Sequence, residues 1–116
     1  MTEKLKSKLS VLDCTLRDGG YYNDWDFSKS IVDKYLSAIL IAKIDIVEIG
    51  FRFMPESKYL GPFAYSKDDF LNTLSLPDGV NISVMINASE LIDYAKGIKA
   101  AVNLLFTDKK NSPVYC

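Results

Sequence analysis

An arginine, an aspartate and two glycines stand together at Arg17, Asp18, Gly19 and Gly20, directly after the run Val11-Leu12-Asp13-Cys14-Thr15-Leu16. A guanidinium in such a place can hold a developing anion, and a carboxylate can hold a hard metal ion. Paired glycines let a substrate approach the backbone. The chain has 116 residues and no histidine, so a metal centre that needs imidazole cannot be completed from it.

A second candidate lies in the apolar run Ile44 to Gly50. Side chains alternate along a strand. Ile46, Glu48 and Gly50 are therefore expected on one face, with Val47 and Ile49 on the other. If the apolar pair faces the helices, Glu48 points to the opposite face. A carboxylate inside a strand is costly unless paired, and Arg17 or a metal-bound water would serve. Asn87 occupies the matching end of a later strand. These residues converge only if their strands are neighbours in one sheet.

Each candidate also has a plain structural reading. Arg17-Asp18 is equally a surface turn with a local ion pair, and Glu48 a structural partner of a lysine or arginine. Gly19-Gly20 alone marks ordinary turns more often than anion cradles. Asn87 is a natural helix cap. Tyr21, Tyr22 and Trp25 read as loop packing, Cys14 as a small buried hydrophobe, and Phe51-Arg52-Phe53-Met54 as a loop anchor.

The elements that must position these groups alternate in type. Strands are expected over 10–14, 44–50 and 82–87. The stretch 19–26 reads as a polar, aromatic loop. Phe27, Ile31, Val32, Tyr35, Leu36, Ile39 and Leu40 recur at helical spacing, with Asp26 or Ser28 as cap and Lys43 near the end. A long loop over 51–65 precedes a helix that starts at Ser66-Lys67-Asp68-Asp69 and stops at Pro77-Asp78-Gly79. Leu91, Ile92, Ala95, Ile98, Val102 and Leu105 suggest one more helix, weakened by Gly97 by ~1 kcal/mol relative to alanine. The order β-α-β-α-β-α implies an α/β fold with a parallel sheet and right-handed crossovers.

Composition narrows the classes. A hydrophobic content of 48% fits a globular protein, and a net charge of −1 leaves no basic field for nucleic acid or an anionic membrane. Cys14 and Cys116 have no metal-ligand spacing and form no disulfide framework. The basic start Met1-Thr2-Glu3-Lys4-Leu5-Lys6 is followed by no apolar secretory core, and no run is long enough to span a membrane, so a cytoplasmic location is expected.

The string Leu12-Asp13-Cys14-Thr15-Leu16-Arg17-Asp18-Gly19 resembles the D-x-T-L-R-D-G signature of the metal-dependent aldolase and lyase superfamily. That superfamily includes 4-hydroxy-2-oxovalerate aldolase, hydroxymethylglutaryl-CoA lyase and the isopropylmalate and citramalate synthases. Ile46-Val47-Glu48-Ile49-Gly50 is similar to its second strand, and Gly19-Gly20-Tyr21 is closer to the aldolase branch than to the synthases. The resemblance reaches to about Phe106. It implies an eight-stranded β/α barrel with Mg²⁺ or Mn²⁺, of which this chain would supply about three β/α units. Asp18 would be a metal ligand, Arg17 would stabilise an enolate oxygen, and Glu48 would tune the site. The implied substrate is a small 2-oxo acid.

Two departures qualify the resemblance. Bacterial 4-hydroxy-2-oxovalerate aldolases carry a proton-transferring histidine just after R-D-G-x, where this chain has Tyr21. The superfamily's H-x-H metal ligands on a later strand have no counterpart. Three units of roughly 35 residues make under half of a barrel of about 250 residues. The whole of 1–116 is therefore expected to be a single incomplete domain, with Asn111-Ser112-Pro113-Val114-Tyr115-Cys116 the approach to a fourth strand. Metal binding by these residues alone is expected to be weak or nil, and the isolated chain to be inactive. Two other readings stay open: a non-catalytic module that self-associates through its open sheet, and a small anion-binding domain using Gly19-Gly20.

Overall fold

The computed structural model describes residues 9–56 and 58–116; the basic start at 1–6 lies outside them. Three strands form one parallel sheet in the order β1 (Leu12–Asp13), β2 (Ile46–Phe51), β3 (Asn81–Met85). The helices are α1 (Thr15–Gly19), α2 (Lys29–Ile41), α3 (Pro62–Tyr65), α4 (Asp68–Leu71), α5 (Ala88–Ile92) and α6 (Ile98–Leu105). The expected α/β class, with three β/α units on a parallel sheet, is what the chain adopts.

The core lies around β2. Val47 and Ile49 are fully buried, and Phe51 nearly so. Each such side chain contributes roughly 1.5–3 kcal/mol on burial. Val32, Leu36 and Ile39 of α2 join them in one cluster with Leu16, Trp25, Phe63 and Leu71. Ser28, not Asp26, caps α2: its side chain accepts from the Ile31 N–H at 3.3 Å. A cap of this kind stabilises by about 1 kcal/mol. Lys43 sits just beyond the helix with φ +58°, and its N–H closes the end on Leu40 O.

Several expectations are corrected. The stretch from Thr15 to Tyr22 is not strand end and loop but α1 followed by a 3-10 turn, Gly20–Tyr22. Asp13 starts it: its carboxylate accepts from the Thr15 N–H at 3.0 Å and the Thr15 hydroxyl at 3.1 Å. This aspartate-initiated turn competes with strand pairing and halts β1 after two residues. The single helix expected over 91–105 is broken in two: α5 ends at Ile92 with Asp93 as its cap, and Gly97, at φ +93°, stands directly before α6. Its buried positions are Leu91 and Ala101, while Ile92, Ile98 and Val102 are exposed. The stretch 51–65 holds the short helix α3.

The largest correction concerns β2. Its register with β3 shifts between Glu48 and Gly50, the mark of a bulge. An extra residue in a strand re-aims the side chains beyond it. Gly50 therefore does not share Glu48's surroundings. A Cβ on Gly50 would lie 2.2 Å from Phe63 O in α3, so only glycine fits there. Glu48 and Phe51, by contrast, both meet Arg17.

Beyond α6 the chain returns to the sheet. Val114 forms a parallel bridge with Ile82, and the Tyr115 N–H donates to Ile82 O at 2.7 Å. The expected approach to a fourth strand is thus present as a pairing partner of β3.

A buried ion pair fixes this return. Arg52, 3% exposed, is ion-paired with Asp68. It also donates to Ser66 O at 3.1 Å and Leu105 O at 2.9 Å. Asp68 accepts from the Thr107 hydroxyl at 2.6 Å and the Ser112 hydroxyl at 2.8 Å. Burial alone would raise the Asp68 pKa. The hydrogen bonds from Thr107, Ser112 and Arg52, with the Arg52 charge, outweigh it and hold the carboxyl below its usual value. The loop after β2 is the anchor expected of Arg52.

This network makes stability depend on acid. A carboxyl whose folded pKa is depressed contributes stability above its unfolded pKa of about 3.9 and loses it as pH falls through the folded value. Urea unfolding of Asp68→Asn at neutral pH should show a loss of about 3–5 kcal/mol, because Arg52 is left buried without its counter-charge. The steep loss of stability below about pH 4 should become shallower in the variant. Unchanged stability at neutral pH would contradict the role assigned to the pair.

Candidate functional site

The helix α1 begins just after β1, with only Cys14 between them, so its side chains project from the C-terminal end of the sheet. Ligands gather at that end in parallel α/β folds. Arg17 on α1 donates from Nε to Glu48 Oε1 at 2.7 Å. Glu48 is a buried residue on β2, adjacent to β1 in the sheet. The expectation that Glu48 needs a partner, and that Arg17 supplies it, holds in the structure. Burial would lower the Arg17 pKa, but the hydrogen bond and charge of Glu48, helped by Cys14 and Asp18, raise it instead. Arg17 is a permanent cation.

The guanidinium lies 5.9 Å from the centre of the Phe51 ring, a cation–π distance. With Nε engaged by Glu48, the terminal nitrogens remain: Nη1 is 3.8 Å from Asp18 Oδ1, too long for a hydrogen bond. The Arg17 side chain is 20% exposed, enough to be reached from the mouth of the sheet. A cation fixed at one nitrogen and open at the others can receive an anion without rearrangement.

The neighbouring turn is clamped from several sides. Trp25 Nε1 donates to Arg17 O at 2.8 Å, and the Trp25 N–H donates to Gly20 O at 3.0 Å. Trp25 sits edge-on to Phe51, Phe53 and Tyr21, with ring centres 5.5, 5.3 and 4.8 Å away. Asp24 and Trp25 both take φ near +57°, an unfavourable backbone for such residues, which these contacts over-determine. Trp25 is loop packing, as expected, and it also holds the backbone of Arg17.

The two glycines differ in what surrounds them. Gly19 and Gly20 both have right-handed helical backbone. A Cβ on Gly20 would lie 1.8 Å from the Trp25 ring, so its space is taken by the indole rather than left for a ligand. A Cβ on Gly19 would meet only Phe27, at 3.8 Å.

Asp18 and Tyr21 are both exposed beside this cluster; the Asp18 side chain is 71% accessible. Among the described residues no three His, Cys, Asp or Glu groups come together as a metal site. Asp18 stands there as a single carboxylate. Asn87 caps α5, its Oδ1 accepting from the Ser89 N–H at 3.3 Å and the Ser89 hydroxyl at 2.8 Å. It does not join Arg17 and Glu48. Cys14 is half-buried and free rather than a core residue.

One link was not singled out from sequence. The Tyr35 hydroxyl of α2 donates to Asp13 Oδ1. Burial, then that bond and the Asp13 charge, push the Tyr35 pKa strongly up. The Asp13 carboxyl is held down: burial opposes, and the bonds from Tyr35 and Thr15 prevail. Asp13 thus anchors the start of α1 to α2. The signal was present in the spacing Asp13-x-Thr15, a pattern that favours a side-chain turn.

Removing the Glu48 charge tests the pair. Losing one partner of a buried pair costs ~3–5 kcal/mol. Glu48→Gln keeps an acceptor oxygen, which reduces the expected loss to about 2 kcal/mol in urea unfolding. The double variant Arg17→Met, Glu48→Leu should recover most of it, since the uncompensated charge is gone. Additive losses would show that the two residues are not coupled.

The chain matches no family model and no curated protein sequence. No helix among the described residues is long and apolar enough to cross a membrane. A solved structure does match: the crystal structure of the N-terminal domain of a putative aldolase from Bacteroides vulgatus. It is 43% identical, with a TM-score of 0.66, over 71% of this chain and 27% of that one. The chain therefore spans about a quarter of the length of that neighbour. At this identity the likeness goes beyond shared architecture and relates the chain to an aldolase-like N-terminal domain.

Proposed function

We propose that these residues form the enolate-stabilising corner of a divalent-metal-dependent aldolase of the β/α-barrel type, acting on 4-hydroxy-2-oxo acids. The observation that carries this reading is the Arg17–Glu48 pair, closed at 2.7 Å between the helix that follows β1 and the neighbouring parallel strand β2. The 43% identity to an aldolase-like N-terminal domain supports it.

The chemistry asked of Arg17 is specific. In aldol cleavage the 4-hydroxyl loses its proton, the C3–C4 bond breaks, and its electron pair moves into the 2-oxo group as an enolate. An aldehyde leaves, and a proton returned to C3 gives pyruvate. Arg17 supplies fixed positive charge at the oxygen where negative charge develops. Glu48 holds the guanidinium in place and raises its pKa, so the cation does not yield its proton to the enolate. Tyr21 is assigned to proton transfer in place of a histidine; its ring packs on Trp25, whose indole is tied to the Arg17 carbonyl. Asp18 would give one ligand to Mg²⁺ or Mn²⁺, and a metal ion would add Lewis-acid polarisation of the 2-oxo group. Its remaining ligands must come from outside the described residues.

Oxalate, a stable mimic of the pyruvate enolate, tests Arg17 without turnover. It should bind weakly, and Arg17→Met should lower the affinity at least about tenfold in calorimetry, roughly 1.4 kcal/mol. Equal binding by both proteins would sink the reading. Pyruvate release from 4-hydroxy-2-oxo acids with Mn²⁺ should be negligible for this chain alone. Robust turnover abolished by Asp18→Ala would overturn the claim that only part of a site is present.

A second reading is favoured by one observation. At the β1 edge Leu9, Val11 and Leu12 are exposed, a surface that open strands use to pair. A self-associating, non-catalytic module would use it. Light scattering after size exclusion should then give a dimer or larger species, and Val11→Lys should return it to monomer. A wild-type monomer at all concentrations excludes this reading.

A further inference from the structure

A cavity of about 280 Å³ is lined by Trp25, by the segment after β2 and by Asn87 and Glu90 at helix α5. One wall is apolar and aromatic: Trp25, Phe53, Met54, Leu60 and Tyr65. The polar lining is Glu56, Asn87 and Glu90. No lysine or arginine lines it among the described residues. We propose that this cavity binds a small organic cation, an ammonium carried on an apolar body.

The walls are built and held. Trp25 and Phe53 meet edge to face with ring centres 5.3 Å apart. The Tyr65 hydroxyl accepts from the Leu60 N–H at 3.2 Å, which pins Leu60 to the cavity. Glu90 Oε2 accepts from the Met54 N–H at 3.1 Å and ties α5 to the segment after β2. Binding pockets of this kind combine an apolar lining with a few convergent polar groups.

The charge pattern selects the ligand. Glu90 Oε1 is shielded from solvent and has no hydrogen-bond partner among the described residues. A buried acceptor without a partner is costly. Burial raises the Glu90 pKa, the Met54 N–H opposes this, and the nearby charge of Glu56 raises it further. Two carboxyl groups of like charge thus line one cavity, with no cationic side chain lining it among the described residues. An ammonium between them supplies the missing donor and relieves the repulsion. The aromatic lining of Trp25, Phe53 and Tyr65 offers cation–π attraction, strongest at tryptophan. A carboxylate or phosphate ligand would meet two like charges and no cation, which excludes anionic occupants. Cation binding here is independent of the enolate chemistry, because it is read without turnover.

Trp25 is the chain's one tryptophan, so its emission reports directly on the cavity. Three probes of similar shape decide the matter at fixed salt and neutral pH: 2-phenylethylammonium, 2-phenylethanol and phenylacetate. The ammonium should shift Trp25 emission saturably, with an affinity at least about tenfold above the alcohol's, and phenylacetate should not bind. Glu90→Gln, which keeps the bond to Met54, should bring the ammonium down to the alcohol's affinity and leave the alcohol unchanged. Glu56→Gln should do the same in part, and serves if Glu90→Gln fails to fold by far-UV circular dichroism. Equal binding of ammonium and alcohol, no response to the ammonium, or full affinity in the folded carboxamide variants would overturn the proposal.

Discussion

A carboxylate in the middle of a buried strand is the constraint around which this molecule is arranged. Glu48 lies between Val47 and Ile49, both wholly inaccessible to solvent. Ionised and alone there it would cost several kcal/mol. Arg17 answers it from the helix that comes after β1, and that answer requires β1 and β2 to be neighbours and parallel. The turn after Arg17 must then be held firm. Trp25 does this by bonding the Arg17 carbonyl and filling the space that a side chain on Gly20 would need. The pair therefore makes the strand order, the glycine and the strained turn depend on one another.

The bulge in β2 has a consequence for the same pair. Without it, strict alternation would put Glu48 and Gly50 side by side and send Phe51 to the helical layer. With it, Phe51 joins Glu48 around the guanidinium, and Gly50 faces the backbone of α3. Arg17 thereby gains an aromatic face as well as a carboxylate. Its charge is partly dehydrated yet still reachable, the condition under which a fixed cation acts most strongly on a developing anion.

A second buried pair, Arg52 with Asp68, works differently. Its bonds run to Ser66, Leu105, Thr107 and Ser112, which come from separate stretches of the chain. It ties the end of the chain back onto the sheet. The two arginines thus serve separate ends: Arg52 has all three of its nitrogens engaged and is structural, while Arg17 is bonded at Nε and keeps its terminal nitrogens at the mouth of the sheet. Residue type alone does not distinguish them; their exposure and their engaged nitrogens do.

The alternation of strands and helices, the parallel sheet, the Ser28 cap and the pairing of Glu48 with Arg17 were legible in the sequence. Each derives from periodicity or from the cost of burying a charge, which act locally or through one partner. The resemblance carried by Asp13 to Gly19 pointed to the same aldolase-like relation that the solved neighbour supports. The early stop of β1 at Asp13, the break between α5 and α6 and the bulge at Ile49 were decided only in the folded chain. They depend on which hydrogen bonds compete and on what packs against Gly20 and Gly50 from residues distant in sequence. The same is true of Asn87, which shares a strand end with the candidate site yet caps a helix, and of Glu90, whose shielded oxygen appears only once α5 lies against Met54. Sequence specifies the groups and their period. Tertiary packing decides which of their bonding positions are already taken.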